Sequence, residues 1–166
     1  MKKLIAILLA AAILLCFAGC QLTETEKPGG KEPVQDSYSF TYNGTKIALH
    51  APAADVLAGL GKEKAYSEST SCAFEGLDKV YDYGSFCLQT YPIGDKDYIY
   101  GGWFVDDLLE NDEGICIGSS QADVEAAYGA DKLSGNSCEI VKGSGKLIII
   151  LENEVVTSVQ YAVVTD

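Results

Sequence analysis

The sequence predicts an α+β fold: two tandem units, each a short helix followed by an antiparallel meander, forming one curved sheet with the short helices on one face. Three observations predict it. A phrase recurs at a spacing of 68 residues, so that Ala54-Asp55-Val56 returns as Ala122-Asp123-Val124 and Gly61 as Gly129. Asn43-Gly44 separates two alternating runs, the pattern of a two-residue hairpin. Strand-like apolar runs follow each helical segment, ending in Val155, Val159, Tyr161 and Val163 on one side of the last strand.

Taken in order, the chain opens on Met1-Lys2-Lys3 and an uncharged apolar run from Leu4 to Ala18. A helix needs about 20 apolar residues to span a bilayer, so this run reads as a secretory signal. Phe17-Ala18-Gly19-Cys20 resembles the lipobox of bacterial lipoprotein signal peptides. The resemblance implies cleavage after Gly19, a diacylglyceryl group on the Cys20 thiol, and an anchor on the outer face of the cytoplasmic membrane, or on the outer membrane of a Gram-negative cell. Two or more acyl chains hold a protein stably where one does not. Residues 1–19 are therefore read as signal peptide. Residues 20–36 are the lipidated cysteine and a polar tether rich in Pro, Gly and charge.

The first unit is assigned to residues 37–107. Tyr38, Phe40 and Tyr42 alternate with small polar residues, and across the turn Phe40 should face Ile47 and Tyr38 should face Leu49. Pro52 opens a helix through Leu60, which Gly61 stops. Strands are expected over 71–75, 80–91 and 98–105. The second unit, residues 108–166, repeats the plan. Ile115-x-Ile117 matches Ile47-x-Leu49, and Ser120 with Asp123 forms a capping box. Strands follow over 137–141, 146–151 and 155–163, with a turn at Glu152-Asn153-Glu154. Leu147 to Leu151 is apolar on both parities and reads as a central strand covered on both faces. Helices of two to three turns could not persist alone and must pack on the sheet.

The motif from Ile115 through Gly118-Ser119-Ser120, Asp123-Val124 and Tyr128-Gly129, with the closing Val155-Thr157-Ser158-Val159-x-Tyr161, resembles the β-lactamase-inhibitor-protein-like superfamily. That group includes the small lipoprotein of the outer-membrane barrel-assembly machinery. The motif is also similar to lipoproteins of Gram-positive bacteria. The resemblance implies the two-unit layout and, in the inhibitor, a concave sheet face that grips a protein partner.

Composition excludes several functions. The 166 residues carry 12 Lys, no Arg, 24 acidic residues and one His, for a net charge of −12. Losing Lys2 and Lys3 with the signal peptide makes it −14. Nucleic-acid binding needs clustered positive charge, which is missing. No phosphate loop, nucleophile elbow or metalloprotease pair occurs. His50 has no Ser or Cys beside it and reads as a loop histidine, so neither an enzyme nor a cofactor is expected. The acidic stretch Asp106-Asp107 to Glu110-Asn111-Asp112-Glu113 lacks the spacing of a calcium loop and reads as a connector; Asp95-Lys96-Asp97 reads as a hairpin turn.

Setting aside Cys16 in the signal and Cys20, four cysteines remain, Cys72, Cys87, Cys116 and Cys138. Outside the cytoplasm an even set reads as two disulfides, with three possible pairings. A hairpin turning near Lys79-Val80 would set Cys72 opposite Cys87 and leave Cys116 for Cys138; Cys72 to Cys138 is the alternative. The cysteines lack the C-x-x-C spacing of a zinc site. Tyr81, Tyr83, Tyr91, Tyr98, Tyr100 and Trp103 supply the aromatic surface of the first unit and are the candidate partner-binding residues. The expected protein is thus a monomeric, lipid-anchored binding module with an unidentified protein partner. The alternatives are a structural or assembly lipoprotein of the envelope, or a small hydrolase, for which no nucleophile–base pair is visible.

Overall fold

The computed structural model describes residues 37–164. The signal peptide, Cys20 and the tether to residue 36 lie outside the described residues. The chain enters through a hairpin of β1 (Ser39–Tyr42) and β2 (Thr45–Ala48). Asn43 at φ 48° and Gly44 at φ 81° form its two-residue turn. Phe40 lies opposite Ile47, and Leu49 N–H donates to the Tyr38 carbonyl at 3.0 Å, as the alternation predicts. Helix α1 (Ala53–Leu60) starts after Pro52 and ends at Gly61, whose N–H donates to the Leu57 carbonyl. Four strands follow: β3 (Ala65–Thr70), β4 (Leu77–Asp82), β5 (Phe86–Ile93) and β6 (Lys96–Phe104).

Helix α2 (Gln121–Tyr128) carries the expected capping box. Ser120 Oγ accepts the Asp123 N–H at 3.2 Å, and Asp123 Oδ2 accepts the Ser120 N–H at 2.9 Å. These bonds satisfy backbone donors that a helix start otherwise leaves open, an effect of about 1 kcal/mol. They also hold the Asp123 carboxyl below its ordinary range. After a single 3-10 turn come β7 (Leu133–Ser134), β8 (Ser137–Lys142), β9 (Gly145–Glu152) and β10 (Val155–Val163).

Strands β3 to β10 form one antiparallel sheet in the order β3-β4-β5-β6-β10-β9-β8-β7. The architecture is α+β, as predicted. The two four-strand runs meet where β6 pairs with β10 through Trp103–Gln160, Gly102–Tyr161 and Gly101–Ala162. The approaches to the two helices bond alike. His50 N–H donates to the Ile99 carbonyl and Ile99 N–H to the Ala51 carbonyl; Gly118 N–H donates to the Val156 carbonyl and Val156 N–H to the Ser119 carbonyl.

The core lies against one face of the sheet. Leu88, Gly102, Tyr161 and Leu147 are successive cross-strand partners and all are buried. Phe40 reaches down from the hairpin, with its ring 5.5 Å from Phe86, 5.4 Å from Phe104 and 5.4 Å from Tyr161. Val56 of α1 and Val124 of α2 join the same buried cluster.

Several expected elements move. The run from Val80 to Tyr91 is two strands, because Asp82 Oδ1 takes the Gly84 N–H at 2.6 Å and Tyr83 N–H donates to the Phe86 carbonyl, closing a turn between them. The segment 71–75 is the β3–β4 turn, tied by Ser71 Oγ to the N–H groups of Ala73 and Phe74. The strand lies upstream, in β3. Ile115 to Ile117 makes no second hairpin; Asn111 organises a compact loop there instead. Strand β9 is buried on one parity only, with Ile148 and Ile150 half-exposed on the other. A bulge between Val156 and Ser158 shifts the parity of β10, so Val156 faces the core and Val155 does not.

The β9–β10 turn does form at Asn153 and Glu154, with φ of 52° and 65°. Left-handed backbone costs a residue with a Cβ roughly 1 kcal/mol. Glu154→Gly converts the turn to Asn-Gly and is expected to raise stability by about 0.5 kcal/mol, read as a higher urea midpoint at unchanged slope.

Candidate functional site

The face opposite the core is built from the alternate residues of the same strands. Cys87, Trp103, Gln160, Ile148 and Glu139 are cross-strand partners in succession, so their side chains share this face. The next row is Val80, Gln89, Gly101, Ala162, Lys146 and Val141. Both rows run across interior strands, yet Trp103, Ile148, Val80 and Ala162 stay half-exposed. Asp78 and Asp82 stand on this face at one side, the Lys146–Glu139 pair, 3.9 Å apart, at the other and Glu152 at the end of β9, while Gln89 and Gln160 lie among the apolar residues between them.

The six aromatic residues expected to bind a partner divide. Tyr83 is buried and stacks on Phe86 at 5.1 Å, and its hydroxyl is buried without a hydrogen-bond partner. Tyr91 is also buried, with the Phe74 ring 4.6 Å away. Neither can present a surface. Tyr81 lies opposite Leu88, on the core side, and its ring packs on Tyr66 at 5.1 Å. Reading 80–91 as one strand misplaced these rings, because the turn at Gly84 restarts the alternation. Tyr98, Tyr100 and Trp103 remain half-exposed. A register shift between Gln89 and Thr90 leaves Tyr100 as the extra residue of a bulge, 6.0 Å from Tyr91.

His50 belongs to this aromatic end. Its Nδ1 lies 2.9 Å from the Tyr91 hydroxyl, tying the hairpin to β5. Burial pushes its pKa down, with the Ser144 backbone opposing. A depressed histidine contributes stability that is present above its unfolded value of about 6.5 and is lost as pH falls toward the folded value. His50→Asn, which tolerates the φ of 64° at this position, should flatten that slope. The difference in urea midpoint between wild type and variant, measured from pH 7.5 down to 5.5, checks it; parallel curves would contradict it.

The acidic connector holds a polar cluster that the sequence did not reveal. Asn111 is buried, its Oδ1 accepts the N–H groups of Glu113 and Ile115, and its Nδ2 donates to the Tyr128 hydroxyl at 2.7 Å. The Tyr128 hydroxyl donates in turn to Glu113 at 2.9 Å. Burial first, then the Glu113 carboxylate, pushes the Tyr128 phenol far above its ordinary range. This cluster braces the loop before α2 and presents no free nucleophile.

The four cysteines are free thiols: Cys72 exposed in the β3–β4 turn, Cys87 on the open face, Cys116 with its Sγ 3.5 Å from Ser119 Oγ, and Cys138 buried among the core strands. The expected Cys72–Cys87 pairing fails on register, since the turn falls at residues 83–85 and Cys87 stands opposite Asp82 and Trp103. Nor does a bond join Cys116 to Cys138 or Cys72 to Cys138. Burial pushes the Cys87 and Cys138 thiols up, away from reactive thiolate.

A cleft of about 570 Å³ opens between the start of α1 and the β5–β6 turn, with Asp55, Asp95 and Asp97 on its walls. Asp97 is already engaged by Lys79 at 2.6 Å. Among the described residues no three His, Cys, Asp or Glu side chains converge as metal ligands, and no helix is long and apolar enough to cross a membrane. A scan against protein-family models and searches of curated proteins and of solved structures each found no match.

Proposed function

We propose that this chain is a lipid-anchored, non-enzymatic binding module of the cell envelope, which grips a protein partner on the open face of its sheet around Trp103. The observation that carries the reading is the apolar band on that face. Trp103, Ile148, Val80 and Ala162 stay half-exposed across interior strands, where neither helix covers them. Contiguous apolar surface rimmed by charge is the common form of a protein-binding patch. The lipobox-like Phe17-Ala18-Gly19-Cys20 supplies the anchor, and the polar tether gives the module reach from the membrane. Neither a cofactor nor nucleic acid enters this function.

The module is read as two copies of a helix-plus-meander unit, with both helices on one face. The matched bonds of His50 and Ala51 with Ile99, and of Gly118 and Ser119 with Val156, support it, since His50 and Gly118, and likewise Ala51 and Ser119, are offset by 68 residues. So do the matched helix ends at Gly61 and Gly129. In this reading β6 and β10 are equivalent strands meeting at the centre.

The test uses the full chain in its membrane. Cys20→Ala should abolish lipid labelling and release the protein from the membrane fraction. Trp103→Ala should leave the circular dichroism unchanged and remove the protein that chemical crosslinking in the membrane attaches to the wild-type chain. If the same partner is recovered at the same yield from the Trp103→Ala protein, the open-face reading is wrong.

A further inference from the structure

The two ends of the sheet are built differently. One end closes on β7, only two residues long. The other ends on β3, six residues that are all exposed and that pair with β4 at every position without a bulge. Exposed edges normally carry charge, proline or bulges that prevent further pairing. Strand β3 has no proline and a single charge, Glu68.

The register identifies the free backbone groups. Tyr83 N–H donates to the Phe86 carbonyl, and odd residues of β4 accordingly bond toward β5 and even ones toward β3. Ser71 N–H donates to the Gly76 carbonyl, in the same phase. Ser67 and Ser69 are therefore satisfied by β4, while Tyr66, Glu68 and Thr70 direct their N–H and C=O groups outward.

We infer that β3 is a docking edge for a second copy of this chain, the two strands pairing antiparallel about a two-fold axis at Ser67. Against the expectation of a monomer, the side chains of this edge are complementary to themselves in that register. Backbone bonds across the axis must join outward residues. An axis at Glu68 would set two carboxylates face to face. An axis at Ser67 sets Tyr66 opposite Glu68 of the second copy, twice, with the small Ser67 side chains between them. Within one chain the Tyr66 hydroxyl already donates to Glu68 Oε2 at 2.5 Å, which pushes the phenol up to about 12 and keeps it a donor. A phenol has a single proton, so across the axis each Tyr66 exchanges this bond for one to the Glu68 carboxylate of the second copy rather than adding to it.

The pairing joins two sheets edge to edge and makes their open faces continuous, because Ser67 shares its face with Val80. A strand-edge contact is small, so the dimer is weak in dilute solution and strengthened by confinement on a membrane. Two acidic domains repel, and salt should tighten it.

The experiment uses the full chain in membranes with Cys72→Ser, to remove the exposed native thiol. In that background Ser67→Cys places two cysteines on a non-hydrogen-bonded pair at a Cα spacing of about 4.5 Å, within disulfide reach. Mild oxidation should crosslink it roughly tenfold faster than Ser69→Cys, whose mate is Ala65, since the Cα distance decides. In parallel, the amides of Tyr66, Glu68 and Thr70 should gain exchange protection as detergent-solubilised protein is concentrated. Equal crosslinking at positions 67 and 69, or protection unchanged with concentration, would overturn the inference. The Trp103→Ala result is independent of both.

Discussion

Gly101→Ala is expected to destabilise the domain by roughly 3 kcal/mol or more, through overpacking against atoms that cannot move aside. Gly101 lies in β6 at the joint with β10, which holds the two halves of the sheet together through three residue pairs. A methyl group there would sit far inside the van der Waals contact distance of the Tyr161 carbonyl oxygen, with the Ala162 Cα and the Tyr161 carbonyl carbon at 3.1 Å behind it. The obstacles are backbone, so relief requires the strands to part. Gly102 is equally confined, its Cβ position being 2.7 Å from the Cys87 carbonyl oxygen. Gly59 in α1 is the control, because there the nearest atoms belong to the Thr45 side chain, at 2.8 Å, which can rotate. Gly59→Ala should stay within about 1 kcal/mol of wild type, since improved helix propensity offsets the crowding. For a domain of this size the Gly101 variant should melt more than about 10 °C lower. A melting point unchanged within error would mean that β6 and β10 are not hydrogen-bonded neighbours.

What the sequence made legible follows from where the physics is local. The Asn43-Gly44 turn, the Pro52-to-Gly61 helix and the Ser120–Asp123 box are each decided by the conformational demands of one or two residues, and all three form as read. The misread elements depend on neighbours in space. Strand β3 shows no apolar alternation because both its faces are wet, so only its partner β4 reveals it. The turn at Gly84 hides between Tyr83 and Phe86, two rings that stack on each other and make the stretch look continuous. Bulges near Tyr100 and Thr157 reverse which side chains face the core, and nothing in the local composition requires them. The site inherited these errors. Trp103, Tyr98 and Tyr100 keep partial exposure, whereas Tyr83 and Tyr91 become core, because parity counted through a hidden turn carries no information about the far side. The buried Asn111 cluster was beyond reach, since an asparagine in an acidic loop looks the same whether solvated or not.

Phe86→Ala should have the other large effect, about 3–5 kcal/mol, with a distribution that reports how the hairpin is held. The Phe86 side chain is fully buried at the start of β5. Its ring is 5.5 Å from Phe40 and 4.9 Å from Tyr42, both on β1, and 5.1 Å from Tyr83 in the β4–β5 turn. It therefore joins two parts of the chain that share no sheet pairing, the β1–β2 hairpin and the large sheet. Removing the ring takes away both the transfer of its surface from water and the edge-to-face contacts, and the backbone pairs on either side prevent the cavity from closing. The hairpin should loosen first. Exchange protection of the Phe40 and Ile47 amides should fall further than that of Leu147 and Ile149, which are paired with strands on both sides. Phe86→Leu, which keeps most of the volume, should lose only about 1 kcal/mol and restore the protection. Uniform loss of protection across hairpin and sheet would show instead that the domain opens as one unit. In that case the hairpin is an integral part of the core, and the cost of Phe86→Ala should appear equally at the open face around Trp103.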